Sequence, residues 1–178
     1  MSPLNINALR NETPGCQHVL HFNNAGASLL PSVVLNAVKN HLDLEATIGG
    51  YEAARMAFFF FLKIYSLAAE KIDCFVDEIT FVENATRPWD MAFYSLDLQQ
   101  GDRIITSVSE YASNYLAYLH RAKQTGVMID VIQNDEYGQL DIDDLETKIN
   151  DRVKLIAITH VPSQGGLVNH TQDVGKIA

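Results

Sequence analysis

Apolar positions recur along the chain in two rhythms, a helical one in the first third and an alternation of short strands and helices after it. Between Pro31 and Leu44, Val33, Val34, Ala37, Val38, His41 and Leu42 fall at helical spacing. They predict a helix with one buried stripe and Pro31 in its first turn. A second helix is expected over about Tyr51 to Lys71, where Met56, Phe59, Phe60, Ile64, Leu67 and Ala68 share a face, and Gly49-Gly50 before it reads as a flexible joint. From Ile79 the period shortens. Ile79 to Val82 reads as a strand, with Pro88 in the first turn of a helix that runs to about Leu98 and stops at Gly101. Next come a strand over Arg103 to Val108, a helix over Tyr111 to Lys123 closed by Gly126, and a strand over Val127 to Ile132. Asp141 is placed to cap a helix through Ile149, and Val153 to Thr159 is a nearly continuous apolar strand. A last helical pattern starts at Thr171 and has no stop signal before Ala178.

Strands alternating with helices of this length imply parallel pairing through crossovers, so the expected fold class is α/β, a predominantly parallel sheet with helices on both faces. A chain of 178 residues can bury one substantial core. Residues 1–50 read as an amino-terminal segment with the first helix, and 51–178 as an α/β domain that breaks off inside its final helix. In open sheets of this kind ligands gather at the carboxyl ends of the strands, which singles out the loops after Val82, Val108 and Thr159.

Charge narrows the partners. With 22 acidic against 13 basic side chains and a formal charge of -9, the average field repels nucleic acid and anionic membrane surfaces. Cys16 and Cys74 stand alone, without the spacing of a disulfide framework or a zinc site, which fits a reducing cytoplasm and predicts no metal. The densest apolar run, Met56 to Leu62, is far too short for a bilayer span, and Met1 to Arg10 lacks a secretory pattern. Phe58 to Phe61 reads as core or as a subunit interface.

Four segments hold polar or small residues where chemistry is expected. Glu83-Asn84-Ala85-Thr86-Arg87-Pro88-Trp89 joins a strand to a helix, and Thr86 reads either as a helix cap or as a phosphate contact at a helix start. In Ser107 to Asn114 the ring of Tyr111 either stacks on a planar ligand or packs on its neighbours. The Thr159 to Gly166 loop follows a buried strand, and its His160 reads as structural in the absence of a Ser or Cys partner. His21 to Ser28 is a stretch of small residues that by itself reads as a turn. The phosphate loop and the Gly-x-Gly-x-x-Gly pattern are both absent, which argues against ordinary nucleotide binding.

In their order and spacing these segments resemble the class V aminotransferases, a fold type I family that includes cysteine desulfurases, selenocysteine lyases and related epimerases, over about Leu20 to Ala178. The resemblance implies an enzyme that uses pyridoxal 5'-phosphate on an amino-acid substrate, in a homodimer. It implies that Ala85 and Thr86 hold the cofactor phosphate and that Tyr111 stacks on its ring, where cysteine desulfurases carry histidine. Ser163 and Gln164 then stand near the ring hydroxyl, and Asn24, Ala25, Gly26 and Ala27 border the substrate carboxylate. The family's ring-nitrogen aspartate and its Schiff-base lysine in a Ser-x-His-Lys segment are not among these residues, so the 178 residues alone are expected to be inactive. The alternative is a non-catalytic α/β binding or assembly module that keeps the scaffold.

Overall fold

The computed structural model describes residues 4–163 and 165–178. Two compact units are present, one of Met1–His21 with Leu29–Val82, the other of Phe22–Ser28 with Glu83–Ala178.

The first unit is helical. A short helix α1 (Ile6–Glu12), unannounced by the apolar rhythm, starts where the Asn5 side chain accepts the Ala8 amide. Helix α2 (Ser32–Ile48) and helix α3 (Gly50–Ile72) follow the two predicted spans closely, with Pro31 one position earlier than expected, as the N-cap of α2. Between them Gly49 takes φ 95° and ψ 151°, a conformation that favours glycine, and it both ends α2 and opens α3. Helices α2 and α3 touch each other. The buried stripe is a correction: α2 has no buried residue, and α3 buries only Ala53 and Ala69. Val33 is 72% exposed and Phe59 79%, and Phe58, Phe60 and Phe61 are exposed as well, so the aromatic run is not core. Helical spacing decides which side chains share a face, but burial needs a second element laid over that face, and none covers it among the described residues of this unit. Ile79 to Val82 is a second correction. The segment enters no ladder among the described residues, and Phe81 meets Tyr65 edge-on at 5.0 Å instead.

The second unit carries the α/β architecture. It contains α4 (Thr86–Tyr94), β1 (Arg103–Ser107), α5 (Ala112–Thr125), β2 (Met128–Ile132), α6 (Ile142–Lys148), β3 (Val153–Ile156) and α7 (Thr171–Ile177). The sheet order is β2-β1-β3 and both pairings are parallel, with Ile104 opposite Ile129 and Leu155, and an irregularity at Arg103 and Ile104 that leaves Lys154 unmatched. Alternation along β1 divides the core: Ile104 packs with Phe93, Leu98, Ala117 and Tyr118 under α4 and α5, while Ile105 packs with Ile132, Leu140, Leu145 and Val174 under α6 and α7. Helices therefore cover both faces.

Two local signals acted as read. The Asp141 carboxylate accepts the amides of Asp143 and Asp144 at the start of α6, and Gly126 closes α5 at φ 79°. Helix α4 ends at Tyr94, four residues before the predicted Leu98, because Leu98 reaches the core from a loop that Asp102 holds through the Gln99 amide. Strand β3 stops three residues early, although the Ala157 amide still bonds the Ile105 carbonyl. Among the described residues no helix is long and apolar enough to cross a membrane.

Candidate functional site

The carboxyl ends of β1 and β3 and the amino end of α4 open onto one cleft of about 930 Å³ within the second unit. Its walls come from the 22–28 turn (Asn23, Ala25, Gly26), the start of α4 (Asn84, Ala85, Thr86, Trp89), the start of α5 (Tyr111, Ser113, Asn114) and the segment after β3 (Thr159, Val161, Ser163). Of the predicted site residues, Ala85, Thr86, Tyr111, Ser163, Ala25 and Gly26 line it, and Asn24 and Ala27 do not. Gln164 lies outside the described residues.

Each wall has a local cause. In the 22–28 turn the Asn23 side chain accepts the Gly26 amide and the Asn23 carbonyl accepts the Ala27 amide, an Asx-type closure that presents small residues. At α4 the N-cap is Ala85, and Asn84 Oδ1 accepts the Arg87 amide at 3.0 Å. Thr86 is thus the first helical residue and not the cap, and its hydroxyl donates at 3.2 Å to Ser113 Oγ across the cleft floor. That leaves the helix start with its positive dipole end and the paired Thr86 and Ser113 hydroxyls lining the cleft, a geometry suited to an anion. Tyr111 precedes α5 and is 54% exposed, so it is not the packed core tyrosine that its neighbour Tyr118, at 0%, is.

Behind Tyr111 the Glu110 carboxylate gathers five donors. Oε1 accepts from the Tyr111 amide at 2.7 Å, Thr159 Oγ1 at 2.6 Å and Asn114 Nδ2 at 3.1 Å. Oε2 accepts from Thr106 Oγ1 at 3.2 Å and the Tyr118 hydroxyl at 3.3 Å. Burial first, and then the charge of Glu110, hold the Tyr118 phenol well above its ordinary pKa, so it stays a donor. Asn169, 2% exposed, ties the far side by donating to the Thr159 carbonyl at 2.7 Å and accepting the Leu140 amide at 3.1 Å. His160 is exposed, and among the described residues it offers only its carbonyl, to the Asn169 amide.

Sequence reasoning did not choose Asn23, Asn84, Trp89, Ser113, Asn114 and Thr159 as site residues, although all six lie within the four segments it singled out. The Trp89 indole N–H is buried without an acceptor among the described residues, while its ring stacks on Phe93 at 5.9 Å. Every described lining residue of the cleft is uncharged, and none is a lysine.

The family model for class V aminotransferases matches residues 20–178. The chain belongs to the class V aminotransferase family. Among its class V relatives, a probable cysteine desulfurase of Pyrococcus abyssi (strain GE5 / Orsay) is 30% identical over 174 residues, which is 95% of this chain and 43% of that protein. A solved apo structure of cysteine desulfurase from Thermococcus onnurineus NA1 matches with TM-score 0.79 and 26% identity, covering all of this chain and 46% of its own. A variant of C-DES with glycine covalently linked to its pyridoxal phosphate cofactor shares the fold at TM-score 0.81 and 20% identity, over 94% of this chain and 45% of that one. The chain thus spans under half the length of these relatives.

Proposed function

We propose that these residues form the cofactor cradle of a pyridoxal-phosphate-dependent enzyme that acts on an amino acid, a sulfur-bearing one as in the cysteine desulfurases the chain resembles. The observation that carries the reading is the convergence of Thr86 at a helix start, the exposed ring of Tyr111 and Ser163 on one neutral cleft at the carboxyl ends of a parallel sheet. The donor set fits the cofactor. A phosphate suits the first turn of α4 with the Thr86 hydroxyl, a planar pyridine suits the face of Tyr111, and a ring hydroxyl suits Ser163 or Gln164. Ala85 would approach the phosphate through its backbone, and the 22–28 turn, through Asn24, Ala25, Gly26 and Ala27, would border the substrate carboxylate. The cofactor supplies an electron sink for a carbanion at the amino-acid α-carbon, while the protein holds and orients it. No lysine lines the described cleft, so the 178 residues by themselves are expected not to turn over an amino acid. A cytoplasmic homodimer is the expected working form.

The test uses the full-length protein. Titration with pyridoxal phosphate should produce a visible absorption band distinct from that of the free cofactor, and added L-cysteine should release sulfide. Failure to bind the cofactor would sink the reading in favour of a non-catalytic module. Binding with turnover of a different amino acid would keep the cradle and replace the substrate.

A further inference from the structure

We infer that Glu110 is a positioning residue, which holds Tyr111 in the orientation that presents its ring to the cleft; the inference rests on the cofactor reading above. Glu110 does not line that cleft itself, though it lines a smaller adjoining cavity that shares Tyr111, Thr159 and Ser163 with it. Its Oε1 takes the Tyr111 amide and, from 49 residues further on, the Thr159 hydroxyl, so a single carboxylate fastens the loop after β1 to the segment after β3. Its Oε2 meets Thr106 and Tyr118, both 0% exposed, which anchors the carboxylate in the core instead of in solvent. The Tyr111 side chain has no comparable restraint, since the residue is 54% exposed and its hydroxyl bonds nothing among the described residues. What fixes its backbone at φ -68° and ψ 134°, just outside α5, is the bond from its amide to Glu110 and the bonds its own carbonyl accepts from Asn114 and Tyr115. Releasing the carboxylate frees the amide end and lets the ring swing, so a stacked ligand would have to restore that order when it binds.

A carboxamide can replace most of this. With its oxygen toward the Tyr111 amide, Thr159 and Asn114, glutamine turns its NH₂ to Thr106 and Tyr118, whose hydroxyls can reverse and accept. Alanine can replace none of it.

The experiment is a double-mutant cycle on the full-length protein, reading the pyridoxal phosphate Kd from its absorption band and, separately, amide hydrogen exchange at Tyr111 and Ala112 without cofactor. Glu110→Ala should raise Kd by no more than Tyr111→Ala does, roughly two- to twelvefold for a lost stacking contact. Added to Tyr111→Ala it should have no further effect, and Glu110→Gln should restore most of the affinity. Exchange at Tyr111 and Ala112 should quicken in Glu110→Ala and return toward the parent rate in Glu110→Gln. An unchanged Kd with only a lowered melting temperature would overturn the inference. So would an equal rise in Kd whether Glu110→Ala is made in the parent protein or on top of Tyr111→Ala, and so would glutamine losing as much as alanine. If the parent protein binds no cofactor, the cradle reading fails by itself. The positioning role is then judged on exchange alone, where no change in Glu110→Ala overturns it.

Discussion

Tyr111→Phe and Tyr111→Ala should separate in a way that a core tyrosine would not allow. Tyr111 is 54% exposed and its hydroxyl has no partner among the described residues, so phenylalanine removes nothing the unliganded fold uses. Truncation to alanine at so open a position should cost about 1 kcal/mol of stability or less, in the range of surface substitutions. By contrast Phe93→Ala, 1% exposed between Trp89 and Tyr118, should cost about 3–5 kcal/mol. A stacked aromatic pair is worth about 0.5–1.5 kcal/mol beyond its area, and about 1.4 kcal/mol is tenfold in affinity, so losing the face should raise the cofactor Kd roughly two- to twelvefold. Phenylalanine should stay within about twofold of the parent. The assay is an absorbance titration of the full-length protein with pyridoxal phosphate, run beside thermal unfolding without cofactor. An unshifted band and equal Kd in the alanine variant would remove Tyr111 from the site, and a Kd that rises only in step with a large fall in melting temperature would make it a packing residue.

Three further substitutions test the frame around it. Thr86→Ala should weaken cofactor retention by about 1–2 kcal/mol, roughly five- to thirtyfold in Kd, with the melting temperature nearly unchanged because Ala85 and Asn84 hold the helix start; a lowered melting temperature at constant Kd would make Thr86 structural only. Asn169→Ala leaves the Leu140 amide and the Thr159 carbonyl short of a partner and should cost about 1–3 kcal/mol in chemical denaturation, a value near zero showing that water replaces it. The hydrogen bond from Lys148, then that from the Gln133 amide, hold Asp144 below its ordinary carboxylate value. Its contribution is therefore present above about pH 4 and lost as pH falls through the lower folded value. For a pair whose side chains are 22–23% exposed it amounts to about 0.5–1 kcal/mol, and Asp144→Asn should flatten that part of the stability profile.

What the sequence made legible was what a few neighbouring residues decide by themselves. The Asp141 cap, the Gly126 stop and the alternation that puts Ile104 and Ile105 on opposite faces need no knowledge of distant parts of the chain. Helix α1 had such a signal too, in Asn5, and it went unread for want of an apolar stripe. The misses share a different cause. Ile79 to Val82 has strand-like composition, but a strand exists only when another lies beside it, and the stripe of α2 is apolar whether or not anything covers it. The expected helix ran on to Leu98 although the backbone had already turned after Tyr94, because the core takes a leucine from a loop as readily as from a helix. The site was legible to the level of its loops, since a parallel sheet says where its strand ends point. The bond between Glu110 and Thr159 was not, because nothing local links residues 49 apart.

The electrostatics of the cleft follow from its position more than from its composition. The chain as a whole carries -9, yet every described residue lining the cleft is neutral. Among the described residues no lysine or arginine side chain lines the opening, so an anionic group bound there would rely on what the backbone offers, the amide end of α4, and on short hydroxyl contacts. Such donors act over a few ångströms and tolerate little displacement, whereas a cation attracts from farther away and forgives misplacement. Binding by dipoles therefore puts its weight on geometry. That is the reason to find beside it a carboxylate whose five bonds all go to the two walls and to the core beneath them, and none to the opening itself.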